Sequence, residues 1–146
     1  MNKSQNSAKS NAEIRGKGKL LYPEISYKIR GACFELYKEL GCGHKEVVYQ
    51  RGLEIKLKEQ GLSTTKEKQI PIRVSGKKVG AYVPDIVVED KILVEIKAKK
   101  FITQQDRKQF WEYLTATDFR LGMLVNFGRP GGVQIIRRIY DTARRK

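Results

Sequence analysis

Residues 82–100 read YVPDIVVEDKILVEIKAKK, two apolar runs of strand-forming residues interrupted by Asp85, Glu95 and Lys97. Alternate residues of a strand share a face. Leu93, Glu95, Lys97 and Lys99 therefore point one way, and Ile92, Val94, Ile96 and Ala98 the other. In the preceding run Val83, Asp85 and Val87 share a face opposite Pro84, Ile86 and Val88. One face stays apolar throughout while charges are inserted on the other.

Register decides whether the two acids meet. If Glu89, Asp90 and Lys91 form a three-residue loop, Val88 faces Ile92, Val87 faces Leu93 and Asp85 faces Glu95. A two-residue loop at Asp90 and Lys91 would instead set Asp85 against Ile96 and put the acids on opposite faces. The odd loop, or a bulge that restores its register, is the expectation. Two facing carboxylates repel, and a proton or a cation relieves the repulsion. Mg²⁺ prefers oxygen ligands and is often bound through one or two carboxylates plus a substrate phosphate. Lys97, two residues after Glu95 on the same face, can orient an attacking water or stabilise charge on the phosphate. The plain alternative is an exposed ion pair between Glu95 and Lys97 on a half-solvated sheet.

Working outward, Ile25, Ile29, Ala32, Cys33, Leu36 and Leu40 recur at helical spacing and Gly41 follows, which predicts a first helix from Pro23 to near Leu40. A second is expected from about Lys45 to Gln60, and Gly52 inside it points to close packing against a neighbour. Strands are expected over 66–74, 78–89 and 92–99, a third helix from about Thr103 to Thr115, and closing strands at LGMLVNFG and GVQIIRRIY. The order fits an α/β sandwich, a central mixed sheet of about five strands flanked by helices.

The 146 residues suit one domain at 21–140, between a basic, aperiodic N-terminal arm at 1–20 and a basic tail at 141–146. No apolar run approaches a membrane span and the N-terminus has no signal-peptide centre, so a soluble cytoplasmic protein without a membrane partner is expected. Cys33 and Cys42 form neither a disulfide framework nor a zinc pattern, and both read as buried free thiols. The net charge of +14 is shared between the ends and the central segment and favours a polyanionic partner, nucleic acid first.

Pro84-Asp85 followed by Glu95-Ile96-Lys97 resembles the signature of the PD-(D/E)XK nuclease superfamily. Gly43-His44-Lys45-Glu46-Val47-Val48-Tyr49 resembles the G-x-x-E-x-x-Y motif of the GxxExxY family within it, and LGMLVNFG resembles that family's closing strand. The resemblance implies a restriction-endonuclease-like fold and a Mg²⁺- or Mn²⁺-dependent nuclease acting on DNA. Asp85 and Glu95 would bind the metal, Lys97 would serve the water and Glu46 would be a further ligand. Tyr49, on Glu46's helical face, would support it or contact substrate. Gln109 and Tyr113 match the Q-x-x-x-Y motif of RecB-type and related exonucleases and would address the active site or a DNA strand. Arg137 and Arg138 would hold the phosphate backbone. His44 reads as a surface residue near the mouth of the site. The competing reading is a catalytically inactive nuclease-fold module that binds nucleic acid or a protein partner. Oligomeric state is left open, a homodimer included.

Overall fold

The computed structural model describes residues 21–140. The arm at 1–20 and the tail at 141–146 lie outside them. Helix α1 (Pro23–Leu40) begins with proline at its first turn, where the missing N–H costs nothing, and ends at Gly41, whose φ of 67° lets its N–H bond the Tyr37 carbonyl at 2.7 Å. Helix α2 (Glu46–Glu59) has Glu46 in its first turn and Lys56 and Lys58 in its last, each favourable to the helix dipole. The two helices pack where Gly52 meets Leu36. A Cβ on Gly52 would lie 2.7 Å from the Leu36 Cδ1, so the expected close approach is present.

Seven strands follow: β1 (Thr64–Lys66), β2 (Ile70–Val74), β3 (Lys77–Tyr82), β4 (Ile86–Val88), β5 (Ile92–Lys97), β6 (Leu121–Asn126) and β7 (Gln134–Ile139). Helix α3 (Gln104–Thr115) lies between β5 and β6 and is capped reciprocally by Thr103 and Asp106. Five strands form a mixed sheet in the order β1-β4-β5-β6-β7, with β5 and β6 parallel and the other neighbours antiparallel. Strands β2 and β3 pair only with each other, as a separate ribbon.

The expected strands 66–74 and 78–89 are each broken in two. Val83-Pro84-Asp85 belongs to neither ladder, since proline has no N–H to donate, and the break lets the chain pass from the ribbon into the central sheet. Residues 67–69 make the matching exit from β1, where Glu67 takes φ 58°. Periodicity of two continues through such a break, so the pattern alone does not reveal it.

One sheet face, with Ile86, Val88, Ile92, Val94, Ile96, Met123 and Val125, packs under α1 and α2. The other carries Val87 and Leu93 against Leu114 of α3 and Ile70 and Tyr82 of the ribbon. Both faces are covered, hence the almost continuous apolar reading of β5. Cys33 is buried, its thiol pushed up to about 12 by desolvation. Cys42 is exposed, against expectation, because it follows the Gly41 cap in a short surface loop.

Candidate active site

Strands β4 and β5 pair Val88 with Ile92, Val87 with Leu93 and Ile86 with Val94, the register of the three-residue loop. Glu89 and Asp90 take φ 55° and 53°, and Lys91 N–H closes the turn on the Val88 carbonyl at 2.9 Å. Glu89 is also tied to the chain before β1, its Oε2 accepting from Ser63 N–H at 2.8 Å. The next step of this register brings Asp85 beside Glu95.

Asp85 Oδ2 accepts from the Ile96 N–H at 2.7 Å, which clamps the carboxylate to β5. Its Oδ1 accepts from Gln50 Nε2 at 3.1 Å. Glu95 accepts from the Tyr82 hydroxyl at the root of the ribbon and shares a hydrogen bond with Asp85. Burial, and then the Asp85 charge, push the Glu95 carboxyl up to about 8.

Glu46 enters from the first turn of α2, on the exposed rim. Its carboxyl is raised by desolvation and then by Asp85, with Lys97 and Lys99 opposing. Gln50, one turn on, donates from the same Nε2 to Glu46 Oε2 at 3.2 Å, so a single amide stands between Glu46 and Asp85. The three-carboxylate ligand set expected from the resemblance is therefore not assembled. Among the described residues no three or more His, Cys, Asp or Glu side chains converge on one point. The paired acids are Asp85 and Glu95.

Lys97 is partly buried on the Glu95 face and makes no ion pair among the described residues, whereas Lys99 is held by Asp106 at 2.7 Å. The plain ion-pair reading of Glu95 and Lys97 thus has no contact behind it. The chain after Lys97 is fastened by Asn126, a fully buried side chain at the end of β6. Its Oδ1 accepts from Lys99 N–H at 3.0 Å and its Nδ2 donates to the Lys99 carbonyl at 2.8 Å.

Tyr113 lies flat on Tyr82, ring centroids 4.1 Å apart and planes within 9°, so it reaches the acids through the ring that holds Glu95. Gln109, one turn earlier on α3, is exposed. Tyr49 is fully buried. Its ring stacks on Phe127 at 4.7 Å and its hydroxyl donates to the Gly41 carbonyl at 2.5 Å, leaving no surface for substrate. His44 is on the surface, and its backbone N–H donates to the Tyr49 hydroxyl at 3.3 Å. The ladder through β6 puts Arg138 on the acid face at the far edge strand and Arg137 on the opposite face, where it donates to the Leu21 carbonyl at 3.0 Å. The two arginines therefore do not form one patch.

Sequence reading missed Gln50 and Tyr82. Spacing offered a signal for the first, since residues four apart on a helix are neighbours and Glu46 was already singled out. For Tyr82 there was none, because its partner is fixed by the crossing of ribbon and sheet.

The residues present suit a divalent cation, because two adjacent, partly buried carboxyl groups supply oxygen ligands and their mutual repulsion is relieved by a cation. A family model of the PD-(D/E)XK nuclease superfamily matches residues 23–139. No curated protein matches the sequence significantly. Among solved structures, the chain is similar to an alkaline exonuclease (LHK-Exo) from Laribacter hongkongensis, with a TM-score of 0.43 and 17% identity, covering 93% of this chain and 77% of that one.

Proposed function

Because the chain belongs to the PD-(D/E)XK nuclease superfamily, we propose that it is a divalent-metal-dependent phosphodiesterase acting on DNA at the site made by Asp85, Glu95 and Lys97. The observation that carries the proposal is the side-by-side placement of Asp85 and Glu95, with Lys97 unpaired on the same strand face. The residues at 43–49 support placing it in the GxxExxY branch.

Asp85 and Glu95 would hold Mg²⁺ or Mn²⁺, with Glu46 at the rim. A bound cation lowers the pKa of water and neutralises charge on a phosphate. The protein groups do the positioning. Ile96 N–H and the Gln50 amide orient Asp85, and the Tyr82 hydroxyl, backed by Tyr113, orients Glu95. The Lys97 ammonium would donate to the attacking water or to a phosphate oxygen, where a preformed charge acts in a partly dry site. No helix among the described residues is long and apolar enough to cross a membrane, and the excess of basic groups favours a nucleic-acid substrate.

The test is incubation of labelled duplex DNA with the protein in Mg²⁺, in Mn²⁺ and in chelator. Cleavage is expected only with metal, and Asp85→Ala and Lys97→Ala should abolish it while DNA binding persists. Intact DNA in both metals, with binding retained, would leave the inactive binding module as the correct reading.

A further inference from the structure

The ribbon of β2 and β3 lies outside the central sheet, and its charges differ between root and tip. At the root, Ile70 pairs with Tyr82 and both are buried beside Leu93 and Leu114. Lys66 and Lys68, just before β2, are neutralised by Glu54 and Asp90 at 3.1 Å each. At the tip, Arg73, Lys77 and Lys78 are exposed and have no acidic partner among the described residues, Arg73 reaching only the Gly76 carbonyl at 3.5 Å. Val74 and Val79 beside them are 60% and 63% exposed. Ser75 and Gly76, at φ 50° and 78°, make the tight two-residue turn that closes the ribbon.

We propose that this ribbon is a duplex-binding arm that enters a groove of the DNA and holds it against the acid pair. The inference rests on the nuclease reading and names its substrate class, double-stranded nucleic acid. Three observations support that occupant over others. A two-stranded β-ribbon fits the major groove, which is about 12 Å wide. The tip joins unpaired cations to bare aliphatic side chains, suited to phosphates and to base edges or methyl groups respectively. The third is continuity, because β3 runs directly through Val83 and Pro84 into Asp85, and Tyr82 at its root bonds Glu95. The six residues of β3, Lys77–Tyr82, span roughly 20 Å at about 3.3 Å each.

The variant Arg73→Gln/Lys77→Gln/Lys78→Gln changes only exposed side chains away from the acids. Binding of a 20-base-pair duplex to wild type and variant is measured by fluorescence anisotropy across a salt series, without divalent metal. The variant should bind at least tenfold more weakly at 0.1 M salt, and its slope of log affinity on log salt should be shallower by about 2 to 3, three phosphate contacts at about 0.9 each. Its hydrolysis of a small activated phosphodiester in Mn²⁺ should match wild type, since that substrate is too short to reach the arm. Unchanged duplex affinity and slope would overturn the arm and leave the nuclease reading intact. So would tighter binding by wild type of single-stranded DNA or polyglutamate of the same charge. Loss of small-substrate hydrolysis in wild type itself would instead strike the nuclease reading. A second variant, Lys77→Glu/Lys78→Glu, should show a larger loss of duplex affinity at an unchanged melting temperature, and wild-type-like affinity in it would equally overturn the arm.

Discussion

The carboxamide of Gln50 lies 3.1 Å from Asp85 Oδ1, and through that contact helix α2 sets the direction of an acid that immediately precedes strand β4. The same nitrogen reaches Glu46 at 3.2 Å, so one amide stands between two carboxyl groups. Groups that orient metal-ligating carboxylates typically alter metal affinity by 10- to 100-fold when removed. Gln50→Ala should therefore weaken Mn²⁺ binding by about tenfold in titration calorimetry, with little change in melting temperature. Wild-type affinity in that variant would show that Ile96 N–H alone orients Asp85.

The raised carboxyl of Glu95 predicts a pH dependence with a definite sign. A carboxyl whose folded pKa lies near 8, against the usual 4.5, binds more protons in the folded than in the unfolded state between those values. Its stabilising contribution is full below about pH 4.5 and is lost as pH rises towards 8. In chelator the melting temperature should fall across that window, and Glu95→Gln should flatten the fall. Metal displaces the proton, so Mg²⁺ should raise the melting temperature more at pH 8 than at pH 5. An equal increment at both pH values would count against metal binding at this carboxyl.

Tyr82 and Tyr113 separate two effects that a single deletion would mix. Tyr82→Phe keeps the stacked ring and removes only the donor to Glu95. It should lower metal affinity or turnover while costing about 1 kcal/mol of stability. Tyr113→Ala removes the stacking partner, and the loss of a half-buried aromatic should cost about 2–4 kcal/mol in denaturant unfolding. Tyr113→Phe should restore both stability and cleavage if the residue acts through the Tyr82 ring.

Gly128 has no room for a side chain. A Cβ there would sit 2.2 Å from Lys99 N and 2.5 Å from the Ala98 carbonyl carbon, both backbone atoms. These belong to the segment that the Asn126 amide fastens after Lys97. Gly128→Ala should destabilise the protein by about 1–3 kcal/mol, the usual range for overpacking. It should also lower cleavage beyond what unfolding explains, because the strand end carrying Lys97 must shift. Urea unfolding and turnover below the melting transition together check this.

The helices of the described residues were legible because each carries an apolar stripe at helical spacing, and the first two also carry a stop, Gly41 after Leu40 and Gly61 after the α2 cap. The register of β4 against β5 was legible too. Burial on one face and a loop of odd length leave few alternatives once Asp85 and Glu95 are required to meet. The split of two expected strands into sheet and ribbon was not, because residues on both sides of Pro84 keep the same alternation. Arg137 and Arg138, expected to hold the phosphate backbone together, are adjacent in sequence but lie on opposite faces. In a strand, adjacency means opposite faces.

From the amino-acid order alone came the α/β class, the helix limits to within a residue or two, and the adjacency of Asp85, Glu95 and Lys97. All of these depend on local spacing, which a linear chain carries in full. The tertiary structure alone decided that Gln50 stands between Glu46 and Asp85, that Tyr82 holds Glu95 while Tyr113 backs it, and that Tyr49 belongs to the core. Those relations join residues from different elements, and their distances follow from how helices, ribbon and sheet pack together, which no spacing along the chain encodes.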